Sequence, residues 1–213
     1  MVASITCRPE EPVQLAELLS PDLRVNGTTP EQRLVVSDIS WNRYRKIDAQ
    51  FGDDRSAPRL YYLDGKLELM STSEEHERIK EWIGDLLSDY FFEKQLDVMP
   101  RGQATLQLRQ FGAEPDKSWC LGRNKKFPDL VLEVALSSGG LDKLEIYRRF
   151  RIPEVWIWRA GKLEIFALRR SGGHAPVEKS SLLPKLDISL LESCVQMPSW
   201  QQARKKFRAS LAG

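Results

Sequence analysis

The carboxylate of Glu133 stands in a run that is otherwise apolar, with Leu130, Val131 and Leu132 before it and Val134, Ala135 and Leu136 after it. Pro128-Asp129 and Ser137-Ser138-Gly139-Gly140 bound the run, which reads as a buried strand. An ionised carboxylate left alone inside such a strand is costly, so it must pair, bind a metal or take up a proton. Upstream, in "GAEPDKS", Asp116 follows a proline that pre-sets a turn, and it precedes Glu133 by 17 residues. That separation lets a neighbouring strand or loop bring the two carboxylates together. Two carboxylates plus a lysine on adjacent elements make a hard, oxygen-rich site suited to Mg²⁺ or Mn²⁺. Such an ion activates water and neutralises charge developing on a phosphate under attack. The competing reading of a buried Glu is a structural ion pair, and an aspartate in an EPD turn is common without any function.

Asp129 is a tempting partner and a poor one. Asp129, Val131, Glu133 and Ala135 share one strand face, but four residues at about 3.3 Å each separate the two acids by roughly 13 Å. Asp129 reads instead as a strand-start residue near a turn.

The elements that must position these groups follow from periodicity. "SDISWNRYRKIDAQFG" (37–52) predicts a helix capped by Ser37 or Asp38, with Ile39, Tyr44 and Ile47 facing inward. "RLYYLDGKLELMS" (59–71) predicts a hairpin turning at Asp64-Gly65, a dipeptide suited to a type I′ turn. "STSEEHERIKEWIGDLLSDYFFEK" (71–94) opens with a capping-box pattern and continues as an amphipathic helix through Ile79, Trp82, Ile83, Leu86, Leu87 and Tyr90. "DVMPRGQATLQLRQ" (97–110) predicts a strand and "FGAEPDKSWCLGRNKK" (111–126) a loop. After the buried strand 129–136, "LDKLEIYRRF" predicts a helix capped by Ser137 or Ser138, with Leu141, Leu144, Tyr147 and Phe150 inward. "EVWIWRAGKLEIFALRR" (154–170) predicts a second hairpin at Ala160-Gly161. The order implies a mixed α/β domain with a central sheet flanked by helices. The organisation read from the chain is an irregular N-terminal arm (1–36), one domain (37–195) and a basic C-terminal tail (196–213) that follows a short helix.

A chain of 213 residues with 41% hydrophobic and 29% charged residues is an ordinary globular composition. No apolar run reaches the roughly 18 residues of a membrane span, and the N-terminal stretch lacks the apolar centre of a signal peptide. Both point to a cytoplasmic protein without a membrane partner. Cys7, Cys120 and Cys194 are scattered and show no CxxC spacing, which argues against a zinc site or a disulfide framework. From Arg148 onward there are thirteen Lys or Arg against five Asp or Glu, so the rest of the chain is slightly acidic. That asymmetry suits a phosphate-bearing partner, or simply a solvated basic face.

"GAEPDKS" followed by "FPDLVLEVALSSGGLDKLEIYRRFRIPEVWIW", and preceded by "YLDGKLELMSTSEEHERIK", resembles the Uma family of predicted endonucleases, abundant in cyanobacteria. The likeness runs from about Trp41 to Leu168. The family is placed in the PD-(D/E)XK, restriction-endonuclease-like superfamily, which implies a restriction-endonuclease-like core and Mg²⁺- or Mn²⁺-dependent hydrolysis of phosphodiesters in DNA. By this resemblance Asp116 is the motif aspartate and Glu133 the acid of (D/E)XK. The motif lysine position holds Ala135, and the resemblance moves that role to Lys143 in "SSGGLDK"; a solvated helix residue is the other reading. Glu77 in "HERIK" matches the acid that the superfamily's first core helix often supplies, as a ligand of the same metal or a group beside it, or else it pairs with Lys80 at i,i+3. The Val134 carbonyl completes the implied metal set. His76 reads as a packing or hydrogen-bonding residue, Glu68 as a partner for a basic group, and Tyr147 with Trp156 and Trp158 as core. Cutting both strands of a duplex implies a homodimer. The alternative from another class is a catalytically inactive nuclease fold serving as a nucleic-acid-binding or interaction module. A hydrolase of small phosphate esters finds no Gly-rich phosphate cradle in the chain.

Overall fold

A computed structural model describes residues 2–6, 31–51, 58–102 and 104–211. The expected arm falls largely outside these residues, apart from β1 (Val2–Thr6) and β2 (Gln32–Ser37). The chain divides into two compact units interleaved in sequence: Met1–Glu74 with Thr105–Glu114 and Ser137–Ile146, and Glu75–Ala104 with Pro115–Leu136 and Tyr147–Gly213. The mixed α/β class expected from the sequence is what the chain adopts, with its strands shared between two six-stranded sheets rather than gathered in one.

The first unit holds β1, β2, β3 (Arg59–Leu63), β4 (Lys66–Ser71), β6 (Leu106–Leu108) and β7 (Phe111–Ala113), in the order β1-β2-β4-β3-β7-β6. The β3–β4 hairpin turns as its sequence requires, with Asp64 at φ 45° and Gly65 at φ 86°, the doubly positive pair of a type I′ turn. Leu34, Val36, Leu60, Tyr62, Leu67 and Leu69 form one apolar face, packed with Tyr44 and Ile47 of helix α1 (Trp41–Phe51). This helix starts later than expected because β2 continues through Ser37. Its cap is Ser40, whose Oγ accepts from the Arg43 N–H at 3.2 Å.

The second unit holds β5 (Val98–Pro100), β8 (Lys117–Leu121), β9 (Leu130–Val134), β10 (Glu154–Arg159), β11 (Lys162–Leu168) and β12 (His174–Val177), in the order β12-β11-β10-β9-β8-β5. Among the described pairings of this sheet, β9 and β10 alone run parallel, which requires a crossover. That connection runs through α3 (Lys143–Phe150). Leu130, Leu132 and Val134 alternate on one face beside Trp156 and Trp158. They pack against α2 (Glu74–Glu93), α4 (Ile188–Val195) and α5 (Trp200–Leu211). The α2 residues Ile79, Ile83, Leu86, Leu87 and Tyr90 are the stripe its spacing predicts.

Two readings are corrected. Residues 97–110 are not one strand, since β5 and β6 belong to different sheets. The segment 111–126 is not a loop, since it contains β7 and β8. Short strands broken by Gly and Pro carry too little alternation to be seen in sequence. Residues 200–211, read as part of a basic tail, form α5, which buries Ala203 and Phe207 in the second unit's core. Its Arg204 makes a two-point ion pair with Asp89 of α2, at 2.6 and 2.8 Å. Phe207→Ala is therefore expected to lower stability by about 3–5 kcal/mol. Urea unfolding checks this, and an unchanged midpoint would make α5 a mere appendage.

Candidate active site

β8 and β9 run antiparallel with Lys117 opposite Leu132 and Trp119 opposite Leu130. Asp116 immediately precedes β8, and its carboxylate reaches the backbone of β9 next to Glu133. Both acids are buried, Asp116 at 0% and Glu133 at 1% exposure. The Val134 backbone N–H donates to Asp116 Oδ2 at 2.6 Å, and His76 Nε2 lies 2.9 Å from Asp116 Oδ1. With Asp116 ionised, His76 carries its proton on Nε2 and donates it. The Tyr147 hydroxyl donates to Glu133 Oε1. Glu133 lies on the sheet face away from the large core, so a residue of the crossover helix α3 reaches it.

His76 lies in the first turn of α2, and the next turn is a chain of charges. Lys80, only 4% exposed, pairs with Glu77 and lies 3.4 Å from Glu81 Oε1. Glu81 in turn accepts from Lys117 Nζ at 2.7 Å. Burial pushes the Glu81 carboxyl up, but the Lys117 and Lys80 ammoniums outweigh it and hold the group below its ordinary value. Gly84 makes room for the Lys117 stem: a Cβ there would lie 2.6 Å from Lys117 Cδ. Asp129 is the turn residue its position suggests, accepting from the Leu121 N–H at 2.8 Å and from Lys125 Nζ at 2.7 Å.

The other two singled-out residues belong to the first unit. Lys143, the first residue of α3, holds its ammonium 3.6 Å from the Tyr61 ring centroid and 4.0 Å from Met70 Sδ. The helix cap is Asp142, whose Oδ1 accepts from the Glu145 N–H at 3.0 Å; Ser137 is engaged elsewhere. Glu68 does have a basic partner, since Arg33 Nη1 donates to its Oε1 at 2.7 Å.

The structure thus brings Asp116 and Glu133 together in one unit. It puts Glu77 on a helix of that unit, paired with Lys80, and puts Lys143 in the other. Sequence reasoning took Tyr147 for core only. The missing signal was its place on the helix directly after the Glu133 strand, which the β9–β10 crossover lays over that strand's polar face. Lys80 was seen only as a partner for Glu77; its four-residue step from His76 puts both on one helix face.

Two facing carboxylates suit a hard dication. Among the described residues no group of three or more His, Cys, Asp or Glu is placed to hold a metal ion. Mg²⁺ uses one or two carboxylates and keeps several waters. The donor set Asp116, Glu133 and the Val134 carbonyl fits that habit, and lacks the nitrogen and sulfur ligands of a typical zinc site.

The family model Uma2, described as "Putative restriction endonuclease", matches residues 41–199. The match covers well over half of the chain, and the chain belongs to the Uma2 family. Among solved structures, the crystal structure of a putative nuclease belonging to DUF820 from Anabaena variabilis ATCC 29413 is similar at 10% identity and a TM-score of 0.46, over 79% of this chain and 99% of that one. No curated protein matches. Among the described residues no helix is long and apolar enough to cross a membrane.

Removing the phenolic donor isolates its contribution. Tyr147→Phe is expected to cost about 1–3 kcal/mol, the penalty of a buried acceptor losing a partner. Combining it with Glu133→Gln should cost less than the sum of the two single changes. Urea unfolding of the four proteins measures the cycle, and strict additivity would show that the contact carries no energy.

Proposed function

We propose that the protein is a metal-dependent endonuclease that hydrolyses phosphodiester bonds in DNA. The observation that carries this reading is the burial of Asp116 and Glu133 in a chain of the Uma2 family, with Asp116 bonded to the Val134 amide next to Glu133. Asp116, Glu133 and the Val134 carbonyl would hold Mg²⁺ or Mn²⁺. When bound, that ion lowers the pKa of water and neutralises charge on the phosphate. His76 and the Val134 amide fix the two oxygens of Asp116, and Tyr147 fixes Glu133, so both acids are held in place before any ligand arrives. Glu77, on the helix that carries His76 and paired with Lys80, would add a further acid to this ligand set or stand beside it.

In this reading Lys143 as an ammonium orients the attacking water and stabilises the charge on the phosphorane, or as a neutral amine takes that water's proton. Water adds to phosphorus, the P–O bond to the leaving nucleotide breaks, and the leaving oxygen takes a proton from solvent. Lys80 is the rival for the lysine role, since it is buried in the unit that carries both acids, one turn beyond the histidine bound to Asp116. Exposed Lys205, Lys206 and Arg208 give α5 a basic outer side able to follow a phosphate backbone. Cutting both strands takes two sites, so we infer a homodimer on duplex DNA. A nuclease fold without activity, acting as a binding module, is the reading to beat.

Plasmid nicking with Mg²⁺ or Mn²⁺ tests the proposal alongside metal titration calorimetry. The parent is expected to bind metal and nick, and to stop when EDTA removes the ion. Glu133→Ala should lose both properties. Lys143→Ala should keep metal binding and lose about 10²–10³-fold in kcat, the usual scale for deleting one group that stabilises transition-state charge. The same loss in Lys80→Met, with Lys143→Ala active, would transfer the role to Lys80. A parent that binds DNA but neither binds metal nor nicks would establish the binding module.

A further inference from the structure

The sheet of the first unit has an apolar face and a charged one. Strand register sets Arg33 opposite Met70, Tyr61 opposite Glu68, and Arg59 opposite Met70. These residues share the face turned away from α1. All are buried, with Arg33 at 4%, Arg59 at 2% and Glu68 at 0% exposure, and buried Glu31 joins them at 3%. Burial lowers the affinity of the Arg33 guanidinium for its proton, but Glu31 and Glu68 more than restore it, so its pKa lies above the ordinary value. Ionic groups buried in this way are rarely the most stable filling for a sheet face. Their geometry shows what they hold.

They hold the segment between β9 and α3. Ser137 Oγ accepts from Arg33 Nε at 3.0 Å and donates to Glu31 Oε1 at 2.5 Å. At the other end, the Leu141 N–H donates to Glu68 Oε2 at 2.5 Å. Gly139 and Gly140 between them adopt φ of 94° and 91°. A Cβ on Gly140 would sit 2.4 Å from Glu68 Oε2, so glycine is required for this approach as well as for this φ. Two residues past Leu141, the Lys143 ammonium rests over the ring of Tyr61, the strand neighbour of Glu68.

We infer that Glu68, anchored by Arg33, is a positioning residue: by holding the Leu141 amide it fixes the 137–141 segment and so sets the place of the Lys143 ammonium over Tyr61. Its relevance to catalysis rests on the reading of Lys143 as the active-site lysine.

The experiment reads Lys143 directly as well as through activity. Parent, Glu68→Ala and Gly140→Ala proteins are treated with an amine-acylating reagent, and labelling of Lys143 is followed by mass spectrometry, with circular dichroism confirming the fold. Gly140→Ala keeps every charge, so it carries the test should Glu68→Ala fail to fold. Both variants are expected to label Lys143 severalfold faster than the parent. They should also nick with kcat reduced toward the roughly 100-fold loss typical of a misplaced group, at unchanged KM and metal affinity. Glu68→Ala in the Lys143→Ala background should nick no more slowly than Lys143→Ala alone. Unchanged labelling of Lys143, or additive losses in the double variant, overturns the positioning role. A parent that does not nick, with labelling still accelerated in both variants, sinks the nuclease reading and leaves the positioning role supported.

Discussion

Two carboxylates facing each other inside a sheet repel. Two like unit charges about 4 Å apart at an effective dielectric near 20 repel by about 4 kcal/mol. Much of the second unit is arranged around this constraint. The β8–β9 register sets the pair, the first turn of α2 brings His76 to one acid, and α3 brings Tyr147 to the other. Each hydrogen bond to an ionised group contributes about 1.5–3 kcal/mol, so three of them outweigh the repulsion without removing it. A divalent ion held by the acids, as proposed, would turn the same repulsion into attraction.

The turn that delivers Asp116 shows how the chain achieves this. Glu114 is the last residue of its segment in the first unit and Pro115 the first of the next segment in the second. Glu114 accepts from the Leu60 N–H at 2.9 Å through Oε2 and from the Tyr61 hydroxyl at 2.8 Å through its carbonyl. Pro115 fixes φ, and Asp116 enters β8 with its direction already set. An EPD sequence is therefore a junction: one acid ties the strand being left, and the other serves the strand being entered.

Buried charge is put to different uses in the two units. In the second, the donors to Asp116 and Glu133 include an imidazole, an amide and a phenol. In the first, Arg33 is matched by Glu31 and Glu68, and the result is a closed network with hydrogen bonds to a glycine-rich segment. A closed network specifies a single conformation; a site with residual repulsion is suited to take up a ligand.

Much of this was legible in the chain. Asp64-Gly65 dictates its turn because few other residue pairs readily adopt two successive positive φ values, and Gly161 supplies one of the two at the second hairpin. The stripe of α2 dictates its buried face, and a glutamate among Leu and Val announces a buried charge that needs a partner. The sequence by itself determined the mixed α/β class, these hairpins and helices, and the presence of a buried charge at Glu133. Only the tertiary structure decided that the strands form two sheets, that a strand begins directly after Asp116, and that Tyr147 donates to Glu133. It also decided that Lys143 lies against Tyr61 and Met70. The physical reason is range. Turn chemistry and amphipathic spacing act over a few residues, whereas strand order, and the partner of a buried charge, depend on residues brought together from distant parts of the chain.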